Sequence, residues 1–312
     1  MTIALFDPSI SSENLGDQII RDAVLTELTR RMPEQQIVHL PTQEIIAKHS
    51  IRIACEADWR IVGGTNLLSA HMLRYRQWQI GWRTARRIGP VLLCGVGWWQ
   101  YQGKPDAYTK AVLRAALSRD GLHSVRDEYT KQKLASIGIT NVVNTGCPTM
   151  WAEGFGQEAS RTKRSNAVLF TLTDYHPNPD RDRLLIGVLK SIYEDLLFWP
   201  QGKGDRRYLS SLECDDGIRV IEPSLSAFDS LLKPGAIDYV GTRLHGGIRA
   251  IQNGVRTIIV AIDNRSTELA KQTGLPVVEA LNDSRLRASI IGSVPQISVN
   301  AEAIAQWRAQ FG

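Results

Sequence analysis

Short apolar runs that end in glycine or proline turns recur along this chain, and stretches with apolar residues at helical spacing lie between them. Ile3-Ala4-Leu5-Phe6 is the first run and Asp7-Pro8-Ser9 closes it, so a buried strand is predicted there. Ile19, Ile20, Ala23, Val24 and Leu28 then mark one face of a helix that begins at Asn14-Leu15-Gly16-Asp17 and ends near Met32. Trp59 to Val62 runs into Gly63-Gly64, and Val91 to Cys94 runs into Gly95-Val96-Gly97, so the strand-then-glycine pattern repeats. Helices are expected from Met72 to Ile88, from Tyr108 to Leu117 and from Glu128 to Ile137. In the first of these, Met72, Tyr75, Trp82 and Ala85 read as a core stripe, with Arg74, Arg76, Arg83, Arg86 and Arg87 on a solvated face. The alternative is a basic, aromatic surface that meets anionic lipid.

A polar, glycine-containing stretch from Glu153 to Asn166 marks a domain boundary. Beyond it, strand-like runs return at Ala167 to Thr171, Leu196 to Trp199, Ile218 to Ile221, Tyr239-Val240, Thr257 to Val260 and Val277-Val278. The expectation is an α/β chain of two Rossmann-like, doubly wound domains facing a cleft. Residues 1–160 form the first, 161–300 the second, and a final helix over 301–312 packs back on the first.

Composition narrows the function classes. With 312 residues, 43% hydrophobic and 22% charged, the chain reads as a soluble globular protein. No run approaches the roughly 18 apolar residues of a membrane span, and Met1 to Phe6 is too short for a signal sequence, so a cytoplasmic location is expected. The net charge of +5 suits an anionic substrate or an acidic membrane surface and is too small to argue for nucleic acid. Cys55, Cys94, Cys147 and Cys214 form no CxxC pair, and no carboxylate or histidine cluster has ligand spacing, so neither a metal nor a cofactor is expected.

The chemistry concentrates in Tyr239-Val240-Gly241-Thr242-Arg243-Leu244-His245-Gly246-Gly247, where a strand runs into a helix. An arginine at a helix start opposes the positive end of the macrodipole unless an anion sits between them, which makes the turn an anion-site candidate. His245 is the side chain suited to proton transfer near neutrality, and Gly246-Gly247 would admit close approach to the backbone. The structural alternative is a capping or core histidine. Asp17 is an N-cap or a ligand residue at a strand–turn–helix junction; Gly63-Gly64 meets a ligand phosphate or a neighbouring strand. Trp98, Trp99 and Tyr101 offer rings to a sugar or to packing, and Arg126 holds an anion or pairs with Asp127 or Glu128.

In this order the motifs resemble the polysaccharide pyruvyl transferase family. They are Asn14-Leu15-Gly16-Asp17, Gly63-Gly64, Gly95-Val96-Gly97, Ser124-Val125-Arg126-Asp127, Gly146-Cys147-Pro148, and Arg243-Leu244-His245 followed by Gly254 and Asp263. The resemblance implies a GT-B-like fold and transfer of the enolpyruvyl unit of phosphoenolpyruvate onto two hydroxyls of a saccharide, as a ketal, in cell-surface or exopolysaccharide biosynthesis. It implies Arg243, Arg126, Leu244, Gly246 and Arg265 as donor-binding residues and His245 as the proton carrier, with Asp17 a second candidate. Asn14, Gly16, Gly63, Gly64, Trp98 and Trp99 fall to the acceptor, and a lipid-linked acceptor would bring Arg83, Arg86 and Arg87 to the inner face of a membrane. Relatives differ at Cys147 and near Arg265. The rival readings are a glycosyltransferase using a nucleotide sugar, for which Glu268 and Glu279 are poorly placed, and a non-catalytic saccharide-binding protein.

Overall fold

The computed structural model describes residues 1–279 and 282–312, with the backbone alone at 160 and 161. The chain divides into two compact units: Met1–Ser12, Asp17–Trp151 and Val299–Gly312 form the first, Glu13–Gly16 and Ala152–Ser298 the second. The boundary therefore lies at Trp151 rather than at residue 160, and Asn14 to Gly16 go with the second unit.

The first unit runs β1 (Thr2–Asp7), α1 (Leu15–Arg31), β2 (Gln36–Pro41), α2 (Lys48–Glu56), β3 (Trp59–Gly63), β4 (Asn66–Leu68), α3 (Trp82–Ile88), β5 (Leu92–Cys94), β6 (Gly97–Trp98), α4 (Ala107–Ala116), β7 (His123–Val125), α5 (Glu128–Ala135) and β8 (Val142–Asn144). Its main sheet is parallel in the order β2-β1-β3-β5. The Gly95 N–H donates to the Ser124 carbonyl and Val96 bridges Val125, which brings the parallel β7–β8 pair alongside β5. The continuous apolar run of β1 follows from burial on both faces. Ala4 and Phe6 enter a core with Trp78 and Trp98, while Ile3 and Leu5 enter another under Ile20, Val24 and Leu28 of α1.

One expected element is shortened: the helix predicted from Met72 begins only at Trp82. From Met72 to Ile80 the backbone and side chains have tertiary partners instead. Met72 N–H donates to Thr109 Oγ1 at 2.9 Å, Gln79 N–H donates to the Thr42 carbonyl at 2.9 Å, and Trp78 packs edge-on against Phe6. Gly81, extended, then caps α3. Trp82 is consequently on the surface, not in the core stripe.

The second unit runs α6 (Gln157–Arg161), β9 (Ala167–Thr171), α7 (Pro179–Ile192), β10 (Asp195–Phe198), α8 (Asp205–Ser211), β11 (Ile218–Val220), α9 (Leu225–Leu231), β12 (Asp238–Gly241), α10 (Leu244–Gln252), β13 (Thr257–Val260), α11 (Asn264–Thr273), β14 (Val277–Val278) and α12 (Asp283–Ile291). Its sheet is parallel in the order β11-β10-β9-β12-β13-β14. Counted within the unit this is the doubly wound order, which reverses between β9 and β12; in open α/β sheets the carboxyl ends of the strands at such a reversal are where ligands bind. The chain then returns to the first unit as α13 (Ala301–Arg308), whose Trp307 donates through Nε1 to the Leu93 carbonyl.

Candidate functional site

At the reversal point the ends of β9 and β12 are tied by hydroxyls. Thr171 Oγ1 lies 2.7 Å from Tyr239 Oη and accepts from the Arg243 N–H, and Thr173 Oγ1 lies 2.8 Å from Thr242 Oγ1. Tyr239 Oη also reaches the Arg243 carbonyl at 2.9 Å, which fixes the first turn of α10 over the sheet. Arg243 is the N-cap residue, in extended conformation, and Leu244, His245, Gly246 and Gly247 are buried behind it. A Cβ at Gly246 would stand 2.8 Å from Tyr239 Oη and 2.9 Å from Gln201 Oε1; one at Gly247 would stand 2.6 Å from Ile259 Cγ1. The protein's own side chains take up the room that the sequence reading left for a ligand, so these glycines let α10 press onto the sheet.

The electrostatic argument for an anion beside Arg243 holds, and the chain itself supplies the first anions. The guanidinium is 2% exposed; Nε donates to Asp205 Oδ2 and to the Leu172 carbonyl, both at 3.1 Å, and Nη2 donates to Asp205 and, at 2.9 Å, to Asp174 Oδ1. Asp205, fully buried at the start of α8, also accepts from the Gln201 and Gly202 N–H groups. Burial pushes its carboxyl up, and the guanidinium works against that shift. Arg243 Nη1 is buried with no hydrogen-bond partner among the described residues, and the same holds for Gln201 Oε1 and for both amide atoms of Asn264, the first residue of α11. A ring covers this cluster: Tyr175 lies 4.8 Å from the Arg243 guanidinium carbon and 6.0 Å from that of Arg265, and its Oη accepts from Arg265 Nη2 at 2.5 Å. Arg265 is itself paired with Asp263, the N-cap of α11.

Asp174, Tyr175, Gln201, Asp205 and Asn264 escaped sequence reading. The signal that could have found Asp205 is Gln201-Gly202-Lys203-Gly204, one more glycine turn after a strand. Asn14 and Gly16 join this neighbourhood rather than the first unit. Asn14 Oδ1 accepts from Gln201 Nε2 at 2.8 Å and from the Gly16 N–H at 3.0 Å, and a Cβ at Gly16 would meet Gln201 Nε2 at 2.7 Å.

The remaining candidates lie in the first unit. Asp17, inside the first turn of α1 rather than capping it, accepts from Ser12 Oγ at 2.6 Å, Thr65 Oγ1 at 3.2 Å and Gln43 Nε2 at 3.3 Å. A Cβ at Gly64 would run into the Gly95 carbonyl and one at Gly63 would approach the Phe6 carbonyl at 3.4 Å, so neighbouring strand ends account for the pair. Arg126 is buried, bonded to Asn66 Oδ1 and 3.5 Å from Asp127, and covers the face of Gly97. Trp98 is fully buried and donates to Gln102 Oε1, which corrects its reading as a stacking platform: its indole belongs to the core. Trp99 is half-buried against Tyr75, and Tyr101 is exposed. Among the described residues no group of three or more His, Cys, Asp or Glu could hold a metal, and no helix is long and apolar enough to cross a membrane.

Two Rossmann-like units, the second with its polar groups gathered at the strand reversal, define a GT-B-like α/β protein. Solved structures agree on the fold. UDP-GlcNAc 2-epimerase of Methanocaldococcus jannaschii aligns over 100% of both chains with a TM-score of 0.60 at 13% identity. The Neisseria meningitidis UDP-GlcNAc 2-epimerase aligns over 99% of both at TM-score 0.53 and 11% identity, and S. aureus MnaA over 93% of this chain and 86% of its own, also at 0.53 and 11%. A search of curated protein sequences gives no match. The family model for polysaccharide pyruvyl transferase matches residues 14–264, and the chain belongs to that family of transferases.

Proposed function

We propose that this protein transfers the enolpyruvyl unit of phosphoenolpyruvate onto two hydroxyls of a saccharide, forming a pyruvate ketal. Membership of a transferase family supports the reading, and the observation that carries it is the placement of Arg243 and His245 together at the start of α10, at the strand reversal. The donor set consists of residues of the second unit. Arg243 reaches a donor anion through Nη1 while Asp205 fixes the plane of its guanidinium, and Arg265 and Asn264 stand at the start of the next helix, where N–H groups favour an anion. His245 protonates the methylene carbon of the donor. The adjacent carbon becomes an oxocarbenium-like centre, one hydroxyl adds to it with loss of its proton, the C–O bond to phosphate breaks, and the second hydroxyl closes the ring with loss of its own proton. Arg126, Asp17 and Trp99 are the first unit's candidates for substrate contact.

The test combines binding and turnover. Phosphoenolpyruvate at about 100 times its dissociation constant should stabilise the protein by roughly 2.7 kcal/mol, seen as a raised melting temperature, and UDP-GlcNAc should not. His245→Asn should keep that shift yet lower phosphate release, with a panel of saccharide acceptors, by on the order of 10²–10⁴-fold. Stabilisation by UDP-GlcNAc and none by phosphoenolpyruvate would sink the proposal.

A further inference from the structure

We infer that the loop 72–81 and helix α3 form a surface that docks on an anionic lipid bilayer. The loop starts and finishes at one place. Met72 N–H is held by Thr109 Oγ1, and a Cβ at Gly81 would stand 3.4 Å from Tyr108 Oη, so both ends of the loop lean on the first turn of α4. Leu73 and Arg74 follow the first of these ends, and Trp82 and Arg83 follow the second. The inward side of α3 is Ala85 and Ile88, both buried, and its outward arc is Trp82, Arg83, Arg86 and Arg87, all exposed.

Three observations point to lipid rather than to an ordinary solvated face. The first is charge: no Asp or Glu occurs between Asp58 and Asp106, a span that contains six arginines and one lysine. Asp106, the N-cap of α4, already pairs with His71. The second is that, among the described residues, no carboxylate pairs with Arg74, Arg76, Arg83, Arg86 or Arg87, although the chain pairs its arginines freely elsewhere. The third is apolar: Leu73 is 57% exposed and Trp82 43% exposed within that ring of cations, and the Arg86 guanidinium lies 4.9 Å from the Trp82 ring centroid. Exposed indoles are at home at the level of lipid headgroups, and guanidinium groups around them meet phosphates there. A soluble polyanion would use the cations and leave Leu73 and Trp82 in water; a bilayer uses both.

Sedimentation with vesicles tests this on the intact chain. Phosphatidylglycerol-containing vesicles should pull the protein down at low salt and pure phosphatidylcholine vesicles should not. Replacing Arg83, Arg86 and Arg87 together by Gln should weaken partitioning by on the order of a hundredfold, at roughly fivefold per charge near an anionic surface. Leu73→Ala with Trp82→Ala should weaken it while leaving binding to a soluble polyanion, dextran sulfate, unchanged. All five positions are on the surface, so circular dichroism should report an intact fold in each variant. Absence of wild-type binding to the anionic vesicles, or equal binding by either variant, would overturn the inference. An effect of the arginine changes without one from Leu73 and Trp82 would make the surface a site for a soluble polyanion and would likewise overturn it.

Discussion

Arg243 and Asp205 show how a charge is kept where a helix dipole and burial both oppose it. The guanidinium sits at the positive end of α10 and is stable there because the fully buried Asp205 faces it and takes three backbone N–H groups besides, those of Asp174, Gln201 and Gly202. Asp205→Ala would strand a buried cation, and urea unfolding should register a loss of about 3–5 kcal/mol. Asp174→Ala removes a partner that is about one-third exposed and should cost under about 1 kcal/mol in the same measurement. A second buried group sets a pH limit. His123 Nδ1 accepts from the Leu93 N–H and the other ring nitrogen faces the Ser118 carbonyl, which fixes one neutral tautomer. Burial, opposed by the Ser118 hydrogen bond, pushes its pKa down to about 4 from the ordinary 6.5. The unfolded chain therefore binds a proton in that interval that the folded chain does not. The contribution of this residue, on the order of 3 kcal/mol, is complete above about pH 6.5 and falls away as the pH drops towards 4. Wild type and His123→Gln compared by urea unfolding across that range should show the wild type losing more stability than the variant as the pH falls.

Among elements, α13 closes the core of the first unit. It comes last in the chain, yet Ile304 and Trp307 complete the core under β1 and α1, and Arg308 pairs through two nitrogens with Glu27 at 2.7 and 2.6 Å. Trp307 also packs between Trp151 and Phe311, with ring centroids at 5.2 and 4.7 Å. Trp307→Ala should destabilise the protein by roughly 3–5 kcal/mol in chemical denaturation, through the cavity it leaves and the uncovered Leu93 carbonyl. A stability within about 1 kcal/mol of wild type would mean that the helix is dispensable to this core. At the opposite extreme, the loop 72–81 reads as a helix by spacing alone, because Met72, Tyr75 and Trp82 repeat as an amphipathic face would. Its backbone groups find partners elsewhere in the unit, and those partners decide the outcome.

At the scale of the molecule, each unit is a doubly wound sheet with its own core, and much of that was legible. The apolar runs of β1, β3, β5, β9, β10, β12 and β13 are strands because a parallel sheet buried on both faces leaves no polar position in its centre, a rule that acts residue by residue. The position of Arg243 and His245 at a strand–helix junction was legible for the same local reason. What the chain alone left open depended on contacts distant in sequence. Gly64 owes its identity to the Gly95 carbonyl, Gly97 to the Arg126 side chain and Gly246 to Tyr239 and Gln201, so glycines that read as openings for a ligand are in part sites where the protein packs on itself. The anion for Arg243 could be inferred from the helix dipole, but its source could not: Asp205 lies 38 residues away and reaches the arginine only because β10 and β12 flank β9 in the sheet. By itself, then, the sequence determined the period of each element and the family to which the chain belongs, since both rest on residues read in order. The tertiary structure decided which face Trp82 and Trp98 present and which groups surround Arg243, because burial and charge pairing depend on neighbours that only the folded sheet brings together.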